Sequence, residues 1–304
     1  MRAAHFSIEQ RPRNSIRQLK EIRAFFSGMG FLLIYLWLAP AAQTAWVPMT
    51  DVLSPSNPLD KGYLQMYNLQ FDEAHQTFQE WKESHPEDPF AFTSDAAAYL
   101  FSEFNRLGVL QSDLFVDDAR FKKRDRPKPD PVIEKAFYED LTRSDQLADA
   151  ILRRSPQDSN ALFAKVLNLG LNGDYVALIQ KHDWASLTYM KNAGTLAERL
   201  LTIDPERYDA YLAVGVENYM LGLRPAPVRW FLNLYGAETD KQQGIERLKM
   251  TAQKGHYLLP FARLLLAVAA LRDHNRPQAR TLLGDLARQF PKNDLYAKEY
   301  SRLQ

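Results

Sequence analysis

The residues able to do chemistry are few and poorly spaced for it. Six histidines, His5, His75, His85, His182, His256 and His274, are spread along 304 residues. No two stand four apart, the spacing a helical metal site prefers. His182 precedes Asp183 and Trp184, yet no serine or second histidine stands where it would complete a proton relay. The chain has no cysteine, which removes disulfides, thiolate metal sites, thiol nucleophiles and lipid attachment through a cysteine. A glycine-rich phosphate loop and a Gly-x-Ser-x-Gly elbow are also missing. Acid pairs such as Asp72-Glu73 and Asp117-Asp118 fall at helix starts or in loops, where negative charge favours the helix dipole without any catalytic role. The expectation is a protein that is not an enzyme, with no catalytic residue, metal or cofactor.

Charge and hydropathy point to a place rather than a reaction. The formal charge is +1, but the first 41 residues carry six bases and two acids, leaving the remainder near −3. A mildly acidic body has no general attraction for nucleic acid. No residue from Ala24 to Thr50 is charged, and "MGFLLIYLWLAPAA" is strongly apolar. A basic flank, an apolar run and the triplet Ala39-Pro40-Ala41 describe either an export signal or an uncleaved membrane anchor over residues 1–45. In both cases the flank stays in the cytoplasm and the body crosses the membrane. The body is expected in the periplasm, secreted, or held at the outer face of the inner membrane.

The elements that would position any site repeat in a fixed register. Ala74 is followed by Phe78 at +4 and Pro86 at +12. Ala279, Leu283 and Pro291 repeat these offsets, as do Ala193, Ala197 and Pro205; Ser144 and Ala148 precede Pro156 in the same way. Five residues beyond three of these prolines come Ala91, Ala161 and Ala210, each followed by a bulky residue and a new run of helical period. The unit is helix, turn, helix, proline stop. The proline ends the second helix because it lacks an N–H and its ring clashes with the preceding turn. In "QQGIERLKMTAQKGH" Gly255 stands where the proline would be. Proline spacings of 70, 49 and 86 residues predict about five to six units of ~34 residues, with insertions near 109–131, 172–184 and 222–240.

These marks resemble the tetratricopeptide repeat family over most of residues 58–304. Gly62 with Ala74, and Ala267 with Ala279, match its paired small positions, where two helices cross and a large side chain would hold them apart. The resemblance implies an all-α superhelix, or solenoid, whose first helices line a concave face that receives other proteins. Carried over position by position, the binding groove would include Tyr63, Tyr67, Phe101, Asp209 and Tyr219. Its neighbours would be Thr93, Leu100, Phe163, Leu167, Leu212 and Val216. The face is mainly apolar and aromatic, so a peptide or amphipathic helix fits it better than a charged tail. The alternative packing is a tightly wound superhelix in which these side chains pack on one another. Two functions remain open: a protein-interaction scaffold, and a periplasmic binder of a small apolar ligand tied to a transport system. The run Arg120-Phe121-Lys122-Lys123-Arg124 reads as a solvated loop diluted by Asp117, Asp118 and Asp125.

Overall fold

The computed structural model describes residues 56–109, 128–223 and 240–303. The expected export or anchor segment, the basic loop around Lys122 and the aromatic insertion at Trp230 lie outside them. Among the described residues no helix is long and apolar enough to cross a membrane.

Within the described residues the fold is entirely helical, with eleven α-helices and no strand. In chain order they are α1 (Pro58–Tyr67), α2 (Phe71–Ser84), α3 (Pro89–Arg106), α4 (Pro131–Arg154), α5 (Ser159–Leu178) and α6 (Asp183–Ile203). After a 3₁₀ turn at Tyr208–Ala210 come α7 (Tyr211–Gly222), α8 (Lys241–Lys254), α9 (Leu259–Arg272), α10 (Arg276–Gln289) and α11 (Asp294–Ser301). Each helix packs on the next, giving five consecutive pairs and a final helix, the architecture of a helical repeat.

Local chemistry explains the boundaries. Helices α2, α4, α6 and α10 end two residues before Pro86, Pro156, Pro205 and Pro291. Two residues after three of those prolines stand Asp88, Asp158 and Asn293, whose side chains accept backbone N–H groups at the starts of α3, α5 and α11. Small residues sit where helices cross. Ala74, Ala148, Ala197 and Ala279 are wholly buried, and a Cβ on Gly62 would strike the Phe78 ring. Gly255 ends α8 in extended backbone (φ −61°, ψ 155°), so its need is space, not a left-handed turn. A Cβ there would come within 2.6 Å of the Thr251 carbonyl oxygen and 2.7 Å of Asp209 Oδ1.

One expected turn is overturned. Asn172-Gly173-Asp174 reads as a turn opening an insertion, yet α5 runs through it to Leu178. Asn172 Nδ2 donates to the Asn168 carbonyl oxygen one turn back, and a Cβ on Gly173 would lie 3.3 Å from the Tyr189 Cβ, so the glycine admits α6. The surplus length is taken up by two long helices, α5 and α6, rather than by a loop.

Candidate functional site

The expected groove starts at α1. Asn57 Oδ1 accepts from Asp60 N (2.9 Å) and Pro58 opens the helix, so Tyr63 and Tyr67 share its inward face. That face is covered by the far end of the chain. Tyr63 lies 4.6 Å from Tyr257 between ring centroids, Tyr67 lies 5.4 Å from Phe290, and Phe101 of α3 lies 5.4 Å from Phe261 of α9. The Tyr67 hydroxyl donates to the Tyr257 carbonyl oxygen (2.9 Å). Asn293 Nδ2 donates to the Tyr67 carbonyl oxygen (2.8 Å), and Lys292 N donates to Asn68 Oδ1 (3.2 Å). The α9–α11 end therefore packs back onto α1, and Tyr63 and Tyr67 retain 1% and 3% of their exposure. Burial pushes both phenols well above their ordinary pKa.

Asp209 belongs to the same closure by another route. It sits in the 3₁₀ turn before α7 and is buried, and its carboxylate accepts the N–H groups of His256, Tyr257 and Leu258 at 2.9, 3.1 and 3.0 Å. Leu258, the residue at the start of α9, offers no side-chain cap, so Asp209 supplies one from an earlier unit. Burial raises its pKa, with the three hydrogen bonds opposing that rise. Beside it, His256 Nε2 lies 2.7 Å from Asp60 Oδ1, tying the α9 turn to α1. Asp60 is wholly buried; bonds from Ser56 and His256 outweigh that burial and hold its carboxyl below the usual range.

The structure thus gathers Tyr63, Tyr67 and Asp209 around Tyr257, with Phe101 reaching the same seam through Tyr67 and Phe261. Tyr219 stands apart. It is buried on α7 where α7 meets α8, under Lys241 Nζ (5.9 Å from the ring). There Gly215 and Gly244 let two backbones touch: a Cβ on Gly215 would lie 2.9 Å from Leu248 N. Of the other inward positions, Thr93, Leu100 and Phe163 are buried, whereas Phe101, Leu167, Leu212 and Val216 stay half-exposed.

Two polar clusters were not foreseen. At the α3–α4–α5 contact, Thr93 Oγ1 lies 2.8 Å from both Ser144 Oγ and Asn168 Oδ1. Asn168 Nδ2 returns a bond to Ser144 Oγ (3.0 Å). Among α2, α3 and α4, Lys82 Nζ meets both oxygens of Asp140 at 3.0 Å and bonds Asp95, whose other oxygen is held by His75 Nδ1. No motif spacing marks these contacts, because their members lie 13 to 75 residues apart. The closing residues Tyr257 and Asn293 did carry a signal: Asn293 repeats the Pro-x-Asp/Asn cap of Asp88 and Asp158, and Tyr257 heads the apolar run "YLLPF".

A cavity of about 300 Å³ lies between the end of α3 and α11, lined by Phe104, Asn105, Gly108, Asp294, Leu295, Lys298, Glu299 and Arg302. Its cations are engaged: Lys298 with Asp294, and Arg302 Nη1 with Glu299 at 2.8 Å. Among the described residues no group of three or more His, Asp or Glu side chains is placed to hold a metal ion. His182 precedes α6 as an exposed residue with no side-chain capping bond. Neither a protein-family model, nor a curated protein, nor a solved structure matches the chain.

Proposed function

We propose that this chain is a non-catalytic interaction scaffold built from tetratricopeptide-like repeats, working outside the cytoplasm or at the inner membrane. The observation that carries the reading is how the described chemistry-bearing side chains are used. His75, His256, Asp60, Asp95, Asp140 and Asp209 all bond to other parts of the fold. The inward positions of the first helices that keep some exposure are apolar: Phe101, Leu167, Leu212 and Val216. Tyr63 and Tyr67 form a buried wall, and these half-exposed side chains provide the contact surface for a peptide or amphipathic helix. The basic flank and apolar segment of residues 1–45 support export, and give the membrane as a second contact if that segment is retained.

A cross-linked pull-down from a membrane fraction tests this. Phe101→Ala and Leu212→Ala should each weaken capture by about five- to thirtyfold, since truncating an apolar anchor removes ~1–2 kcal/mol. Neutralising Lys122 and Lys123 should leave capture intact, and raising salt to physiological strength should change it little. Steep salt dependence with only the lysine changes acting would move the site to the basic loop. A small apolar molecule co-purifying, with no protein cross-linked, would favour the ligand-binding reading.

A further inference from the structure

The junction of α2, α3 and α4 holds an uneven set of charges out of water. Helix α2 contributes His75 and Lys82, seven residues apart on one face; α3 contributes Asp95 and Tyr99; α4 contributes Asp140. Side-chain exposure is 3% for Asp95, 10% for Lys82, 13% for Asp140 and 21% for His75. Tyr99 lies against His75 with ring centroids 3.9 Å apart and the planes tilted by 32°. Lys82 Nζ lies 5.3 Å and the Arg143 guanidinium of α4 lies 5.9 Å from the centre of the Phe92 ring; Arg143 is absent from the groups that shift Asp140 and Asp95. Helices α1 and α5 also pack on α3; Gln65 of α1 bonds Thr77 of α2, and Asn168 of α5 bonds Thr93 of α3. Lys165 of α5 is engaged with Asp145 and Asp149 on another stretch of α4.

Two carboxylates therefore share one ammonium, with a histidine against one of them. With the imidazole neutral, the cluster carries one uncompensated negative charge; one added proton makes it neutral. Burying unbalanced charge is expensive, whereas a balanced and hydrogen-bonded set is tolerated.

We propose that His75, Lys82, Asp95 and Asp140 form a one-proton clamp: with the proton bound, α4 is held on α2 and α3, and without it the junction loosens. Burial and the neighbouring Asp95 charge, against the pull of Lys82, raise the Asp140 carboxyl to about 7. Asp95 goes the other way: burial opposes ionisation, but the His75 bond and the Lys82 charge hold it below its ordinary value. Burial lowers the Lys82 pKa, but the two aspartates more than restore it. The signs then follow. Asp140, with a folded pKa above the unfolded 3.8, adds stability that is complete below 3.8 and gone once pH has risen through about 7. Asp95 adds stability only above 3.8 and loses it as pH falls further. The clamp therefore releases across the window from about pH 4 to 7.

The test is thermal unfolding of the full chain, wild type against Asp140→Asn, from pH 4.5 to 8.5. The asparagine mimics the protonated carboxyl. The variant should melt only slightly above the wild type at pH 4.5, and the gap should widen to several degrees by pH 8. Comparing the two chains cancels Asp174, which burial also raises to about 7. Hydrogen exchange of α4 amides, corrected for intrinsic rates, should show opening that rises by up to tenfold per pH unit in the wild type and less in the variant. A variant that melts below the wild type by the same margin at every pH overturns the clamp. If the variant fails to fold, the Asp140 carboxyl ¹³C shift in the wild type decides: a midpoint near 7 supports the clamp, and one near 4 overturns it.

Discussion

Two long-range junctions hold this stack, and they are made of opposite materials. The seam between α1 and the α9–α11 end is aromatic, with Tyr63, Tyr67, Phe101, Tyr257, Phe261 and Phe290 in mutual contact and hydrogen bonds at its edges. The α2–α3–α4 junction is charged, with one lysine between two aspartates. Burial of aromatic surface is nondirectional, and the ring contacts it brings carry no group that titrates near neutral pH, so the seam holds distant parts of the chain together with little dependence on pH. A buried charge cluster adds little net stability but falls sharply when one member is lost or titrated. The first kind of junction closes a fold, and the second makes part of it conditional.

That contrast breaks most visibly at Lys82. Lys82→Met should destabilise the protein by about 3–5 kcal/mol near pH 8, because two buried carboxylates are left without a counter-charge. The loss should shrink as acid protonates them. Urea unfolding at pH 8 and pH 5 checks both statements, and a pH-independent loss would make the junction no different from the seam. Next in size is Asp209→Ala, which strands three N–H groups at the start of α9 and should lower stability by about 2–3 kcal/mol. Hydrogen exchange should show the effect in α9 and α1 together, since the same turn carries His256 to Asp60. The smallest is Tyr67→Phe, which keeps the ring and removes only the hydroxyl bond to Tyr257; about 1 kcal/mol is expected, equal at pH 5 and pH 8. A strong pH dependence for Tyr67→Phe would erase the distinction between the junctions.

Much of the local architecture was legible, for reasons that act over short stretches. Proline stops α2, α4, α6 and α10 because a missing N–H and a ring clash operate within one turn of the chain. Small residues mark helix crossings because each pair is nearly contiguous in sequence. Reading Asn172-Gly173-Asp174 as a turn failed because a glycine in a helix can serve close approach to another helix, here Tyr189, as well as chain reversal. Sequence spacing cannot distinguish the two uses. The α7–α8 crossing at Gly215 and Gly244 escaped for the same reason.

What the sequence determined by itself was the repeating helical unit and its all-helical class, since period, caps and stops are properties of neighbouring residues. It also named the aromatic residues of the first helices without deciding what would lie against them. Only the tertiary structure decided that. Tyr257 and Phe290, some 190 residues and more from α1, lie against Tyr63 and Tyr67, a contact between parts of the chain far apart in sequence. The pairing of Lys82 with Asp140, 58 residues away, is likewise made only where α2 and α4 meet. No local rule encodes it, because the energy that selects it appears only when the helices have already met.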